Sequence, residues 1–122
     1  MGVFTATIEV AATPRGPFHQ LDAMVDTGSL YTWVPISILR ALGVTPQENT
    51  IFVMADGTRI HRDITEIAVR LNGRVRHTIS VFGDDASIPL LGAYTLEGFG
   101  LAVDPVNKRL VQLEAFPALT LA

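Results

Sequence analysis

Ala23-Met24-Val25-Asp26-Thr27-Gly28-Ser29-Leu30-Tyr31-Thr32-Trp33-Val34-Pro35 decides how this chain is read. Three apolar residues lead straight into an acid. A carboxylate at the end of a buried strand is costly unless it is paired or put to use. Gly28 lets the backbone come close to that carboxylate. The hydroxyls of Thr27 and Ser29 are donors able to hold an anion in place. The tetrapeptide Asp26-Thr27-Gly28-Ser29 occurs once in the chain. Asp-Thr-Gly alone also makes ordinary turns, so the reading depends on what lies further along.

A second block lies downstream. Leu90-Leu91-Gly92 is followed by a short stretch to Glu97, then Leu101-Ala102-Val103-Asp104 and Asn107-Lys108-Arg109. The two blocks, in this order, resemble the active-site segment and second signature of pepsin-type and retroviral-type aspartic proteases. The resemblance runs from about Phe4 to Leu113. It implies an all-β fold, a closed, barrel-like retropepsin architecture with a flap hairpin and one or two short helices. It also implies a bacterial-type member with a single domain over residues 1–122.

Length and composition agree with one small domain. A chain of 122 residues buries a modest core but not two lobes. Hydrophobic residues make up 48% of it, and the mean hydropathy is +0.36. That is high for a small monomer and points to an apolar subunit interface. The net charge of −3 comes with no basic cluster, which argues against a nucleic-acid partner. The absence of cysteine excludes disulfides, thiolate catalysis and Cys-ligated zinc. No charged segment precedes an apolar signal core at the N-terminus. Met1-Gly2 lacks the Ser or Thr that myristoylation needs, since Ala6 stands there. No apolar run approaches a membrane span, so no stable membrane association is expected, and the expected location is cytoplasmic.

The chain reads mostly as strand. Phe4, Ala6, Ile8 and Val10 alternate with Thr5, Thr7 and Glu9, which predicts a half-buried strand. Thr13-Pro14-Arg15-Gly16-Pro17 predicts a loop, and Phe18 to Val25 a second strand that delivers Asp26. Ser37 to Leu42 predicts a short helix stopped by Gly43. Thr50–Met54 and Arg59–Leu71 flank Ala55-Asp56-Gly57-Thr58, a strong hairpin signal. Asn72-Gly73 marks a second tight hairpin into Val75–Phe82. Ala93 to Gly98 predicts another helix, and Val103 to Leu113 reads as strand, turn, strand.

Peptide hydrolysis without metal or covalent intermediate needs a base for water and an acid for the leaving amine. Two carboxylates sharing one proton supply both, because like charges resist double ionisation. This chain has one Asp-Thr-Gly where pepsin-like chains have two. The resemblance therefore implies a homodimer whose twofold axis passes between two Asp26 side chains. It implies an aspartic endopeptidase acting on protein or peptide, with no cofactor and no metal.

By the same resemblance, Asp26, Thr27 and Gly28 form the catalytic set. Thr27 resembles a residue whose hydroxyl braces the site across the axis; a local side-chain-to-backbone bond is the alternative. Gly28 is a backbone donor or a plain turn glycine. Ser29 holds the carboxylate or caps. Ala55, Asp56 and Gly57 resemble a flap tip that closes over substrate, and Leu30, Val53, Ile88 and Leu90 are candidate apolar subsites. No flap tyrosine of the pepsin kind is present. Trp33 reads as core rather than substrate-contacting, Gly92 as a close-packing residue under the catalytic loop, and Asp104 as a structural turn. Asp84-Asp85 reads as a solvated loop. His19, His61 and His77 lack ligand spacing and are expected on strand surfaces. A second reading, from a different class, is a dimerisation or peptide-binding module with little or no proteolysis.

Overall fold

The computed structural model describes residues 3–115. Met1-Gly2 and the C-terminal part of the expected 1–122 domain lie outside the described residues. In chain order the elements are β1 (Thr5–Ala11), β2 (His19–Val25), β3 (Thr32–Pro35), α1 (Ile36–Ala41), β4 (Glu48–Val53) and β5 (Arg59–Leu71). They continue with β6 (Arg74–Gly83), β7 (Leu90–Leu91), α2 (Ala93–Phe99), β8 (Leu101–Asp104) and β9 (Arg109–Gln112).

One sheet runs in the order β1-β2-β7-β3-β6-β5-β4. The C-terminal end of β5 also pairs with β1, Ala11 facing Ala68, Val10 facing Val69 and Glu9 facing Arg70. That extra ladder closes every strand of the sheet except β4 into a hydrogen-bonded ring. A closed sheet removes the open edges that would otherwise need protection. The fold is thus all-β and barrel-like, with two short helices. β8 and β9 form a separate two-stranded sheet.

The alternating pattern of β1 puts Ile8 and Val10 inside, where they meet Val34, Ile67, Val69 and Leu91. Leu39 from α1 and Leu96 and Phe99 from α2 join the same cluster. The burial of β5 changes along its length. Between Arg59 and Asp63 it is exposed or half-buried, whereas Ile67, Ala68 and Val69 are fully inside. The change follows the pairing: the first part of β5 pairs with β4 in an outlying hairpin, and the second is flanked by β1 and β6.

The hairpin expected at Asn72-Gly73 is present, with both residues at positive φ (52° and 77°), as the mirror-image two-residue turn requires. Each helix lies within a residue of its expected bounds at both ends. The strands β3 and β7 carry no expectation from periodicity, because four and two residues are too few to show one. Both are held by tertiary pairing: β7 runs parallel to β2 and antiparallel to β3, and β3 runs parallel to β6.

The Asp84-Asp85 loop is more engaged than its sequence suggests. Asp85 Oδ1 accepts the Ser37 N–H at the start of α1, 2.9 Å away, and Asp84 pairs with Arg62 at 3.1 Å. His19, His61 and His77 lie exposed on strands.

The ring closure carries its own ion pair. Arg70 donates from Nε and Nη2 to the two oxygens of Glu9, at 2.9 and 2.7 Å, and its guanidinium lies 4.0 Å from the centre of the Phe18 ring. This fork holds the Glu9 carboxyl below the usual carboxylate range. A depressed folded value means that the pair stabilises above the unfolded value, about 4.3. The contribution is lost as pH falls through the folded value. Glu9→Gln should therefore unfold at lower urea than the parent at pH 7, and the gap between their midpoints should narrow by pH 3.

Candidate active site

Asp26 stands just past the end of β2. Its backbone N–H donates to the Leu91 carbonyl at 3.0 Å, so the parallel β2–β7 ladder sets where the chain turns. The turn closes with the Ser29 N–H on the Asp26 carbonyl at 3.2 Å. The Gly28 N–H donates to Asp26 Oδ1 at 3.0 Å. A side chain at Gly28 would bring its Cβ within 3.2 Å of that oxygen, so glycine keeps the carboxylate accessible.

The loop is held from beneath by the segment that opens α2. The Ala93 and Tyr94 N–H groups donate to the carbonyls of Ser29 and Leu30, at 2.8 and 2.9 Å. The Gly92 N–H donates to Thr32 Oγ1 at 3.1 Å. Thr32 shares a 2.7 Å hydrogen bond with Thr95, and Thr95 another with Thr78. All three threonines are buried, and the network satisfies their hydroxyls, as burial demands. A Cβ at Gly92 would collide with the Tyr31 carbonyl. The expected close packing under the loop is thus present.

Above Asp26 lies a cleft of about 400 Å³, walled by the β4–β5 hairpin on one side and the loop on the other. Of the residues named from sequence, Asp26, Gly28, Ser29, Leu30, Val53, Ala55 and Leu90 line it. Asp56, Gly57 and Ile88 do not. Asp56 instead braces the hairpin tip, accepting the Thr58 N–H at 2.9 Å and the Thr58 hydroxyl. These bonds hold the Asp56 carboxyl below the usual range. Ile88 is exposed, outside the lining. Thr27 lies in a second depression, of about 170 Å³, with Val3, Phe4, Val25, Val103 and Pro105. Asp26 alone borders both depressions.

Of the two readings left open for Ser29, holding the carboxylate is not the one taken: its hydroxyl donates to the Tyr31 carbonyl at 2.8 Å. Trp33 is not a core residue. It is half-buried and lines the cleft with Phe52 and Met54, on the face of β3 opposite the fully buried Thr32 and Val34. Sequence reasoning misses Phe52 and Met54. For Phe52 the signal is parity: Thr50 and Phe52 are half-buried where Ile51 and Val53 are exposed.

Among the described residues no cluster of three or more acidic or histidine side chains could hold a metal ion. No helix of the described residues is long and apolar enough to cross a membrane. Asp104 serves its turn, accepting the N–H groups of Val106 and Asn107 at 3.1 Å each and the Asn107 amide at 2.8 Å.

No family model matches the chain, and no curated protein matches it. Solved structures do. The solution structure of Simian Foamy Virus (mac) protease has a TM-score of 0.53 at 17% identity, over 75% of this chain and 92% of that one. The EIAV protease complexed with the inhibitor HBY-793 has a TM-score of 0.60 at 16% identity, over 90% of this chain and 93% of that one. The fold is retropepsin-like.

The crossing under the loop makes a testable claim. Gly92→Ala should destabilise the protein by about 1–3 kcal/mol, the usual cost of forcing an atom into a packed site. A urea midpoint equal to that of the parent would show that the loop yields instead.

Proposed function

We propose that the protein is an aspartic endopeptidase that works as a homodimer, with one Asp26 from each copy. The observation that carries this reading is the setting of Asp26. Its carboxylate is oriented by the Gly28 N–H, its loop is pinned from below, and it faces an apolar cleft covered by a hairpin. The retropepsin-like fold supports the same reading. So does the second depression, which gives Asp26 a border with another surface besides the cleft.

In this reading the peptide lies extended between hairpin and floor, pairing through its backbone. A water sits between the two Asp26 side chains. The ionised one takes a proton from the water, and the protonated one gives its proton to the scissile carbonyl oxygen as the water oxygen attacks the carbon. The carbonyl carbon becomes a gem-diol. Its collapse breaks the C–N bond and returns a proton to the leaving amine. The dyad starts and ends with one proton, and no cofactor or metal enters the cycle. A cytoplasmic setting belongs to the proposal on sequence grounds alone.

Asp26→Asn keeps the shape and removes the proton carrier. Cleavage of casein or of a peptide library should fall by about 10²–10⁴-fold while fold and dimer persist. Near-parental cleavage would reject Asp26 as the group that carries the proton.

The dimer is the second claim. Light scattering should find two copies, with an interface of about 2,000 Å² or more. A fully active monomer would contradict it.

A further inference from the structure

The hairpin strand β4 pairs only with β5 among the described residues. Its inward side chain Phe52 reaches across to the floor. The Phe52 ring lies 5.3 Å from Trp33 at a tilt of 57°, and 6.3 Å from Tyr31, edge to face at 82°. Tyr31 in turn packs edge to face on Tyr94, 5.9 Å away. Both floor rings have fixed backbones. The Tyr31 carbonyl accepts the Ser29 hydroxyl, and Trp33 is laddered between Val81 and Leu90. Tyr31 also belongs to the loop that carries Asp26. A second tie, Arg62 to Asp84, joins the hairpin to the segment after β6 and not to that loop. Asp84 is 65% exposed there, so solvent screens the pair.

We propose that Phe52 is a positioning residue whose ring, docked on Tyr31 and Trp33, sets the spacing between the hairpin and the Asp26 loop. The catalytic half of this inference rests on the endopeptidase reading above. A peptide held between hairpin and floor has its scissile carbonyl placed by that gap. The hairpin tip, beyond Phe52, stays free to admit substrate, while its base keeps a constant height above the carboxylate. Phe52 carries no group that can take or give a proton, so it acts through the geometry it imposes.

Trp33 is the only tryptophan of the chain, so its emission reports on this contact. Phe52→Leu keeps apolar bulk and loses the ring; Phe52→Tyr keeps the ring. Acrylamide quenching of Trp33 should rise in Phe52→Leu. Exchange of the Met54 amide, bonded to the Thr58 carbonyl at 2.7 Å, should quicken. On a fluorogenic peptide chosen by the parent from a library, kcat should fall by about 10–100-fold, more than KM changes, as a displacement of about 1 Å implies. Phe52→Tyr should restore all three readouts. If Phe52→Leu does not fold, Phe52→Met carries the same readouts.

Unchanged quenching and unchanged exchange would overturn the docking itself. Altered quenching and exchange with parental kcat would overturn the positioning role. A kcat loss matched by an equal loss of folded protein would also overturn it. If Asp26→Asn cleaves as the parent does, the endopeptidase reading fails instead, and the docking is decided by the first two readouts alone.

Discussion

The carbonyls of Ser29 and Leu30 need partners, and the rest of the site depends on where they find them. The Asp26 loop has no regular structure of its own, so its backbone groups must be satisfied by something passing close by. That something is Gly92-Ala93-Tyr94, which supplies N–H groups to both carbonyls and to Thr32 Oγ1. The passage is possible only because Gly92 has no side chain to strike Tyr31. From this one crossing follow the height of the Asp26 loop, the β2–β7 ladder beside it and the placement of α2 under it. The threonine triad of Thr32, Thr78 and Thr95 secures the crossing from within. Three buried hydroxyls satisfied by one another form a rigid polar joint where apolar packing alone would not fix direction.

The molecule divides into a stiff part and an outlying part, and the division is visible within a single strand. β5 leaves the hairpin as a half-exposed ribbon and enters the ring as a buried one. The ring-closing ladder to β1, with the Glu9–Arg70 fork across it, holds the buried half. The hairpin is joined to the floor mainly through Phe52 and Arg62. A fixed carboxylate beneath a hairpin with few ties is a workable arrangement for gripping an extended chain. The proximity of Asp26 to two separate depressions adds a second constraint. One face of the residue opens toward the cleft, and the other borders an apolar hollow with Thr27.

Much of this was legible in the chain itself. Alternation in β1 and the Asn72-Gly73 turn are local signals that depend on nearest neighbours, so sequence carries them directly. The Asp26 loop and Gly92 were legible as motifs. A glycine between apolar residues marks a close backbone approach, and an acid straight after an apolar run is too costly to be incidental. The short helices were placed within a residue at each end. Burial of Ile8 and Val10 followed from the same alternation.

What the sequence could not decide were choices among several equally plausible partners. Ser29 had a carboxylate and a carbonyl within reach, and only the turn of the loop selects Tyr31. Trp33 reads as core by composition, yet it lies on the face of its strand opposite the buried Thr32 and Val34 and is half covered at the cleft. Phe52 and Met54 are separated from Asp26 by a long stretch of chain and meet it only when the hairpin folds over. β3 and β7 have no period long enough to read, and they exist because β2, β6 and each other offer unpaired edges. The sequence by itself determined the local turns, the alternating strands and the presence of one acid on a glycine loop, because these rest on short-range chemistry. The tertiary structure alone decided which groups face that acid, because long-range pairing, not residue type, sets distance in space.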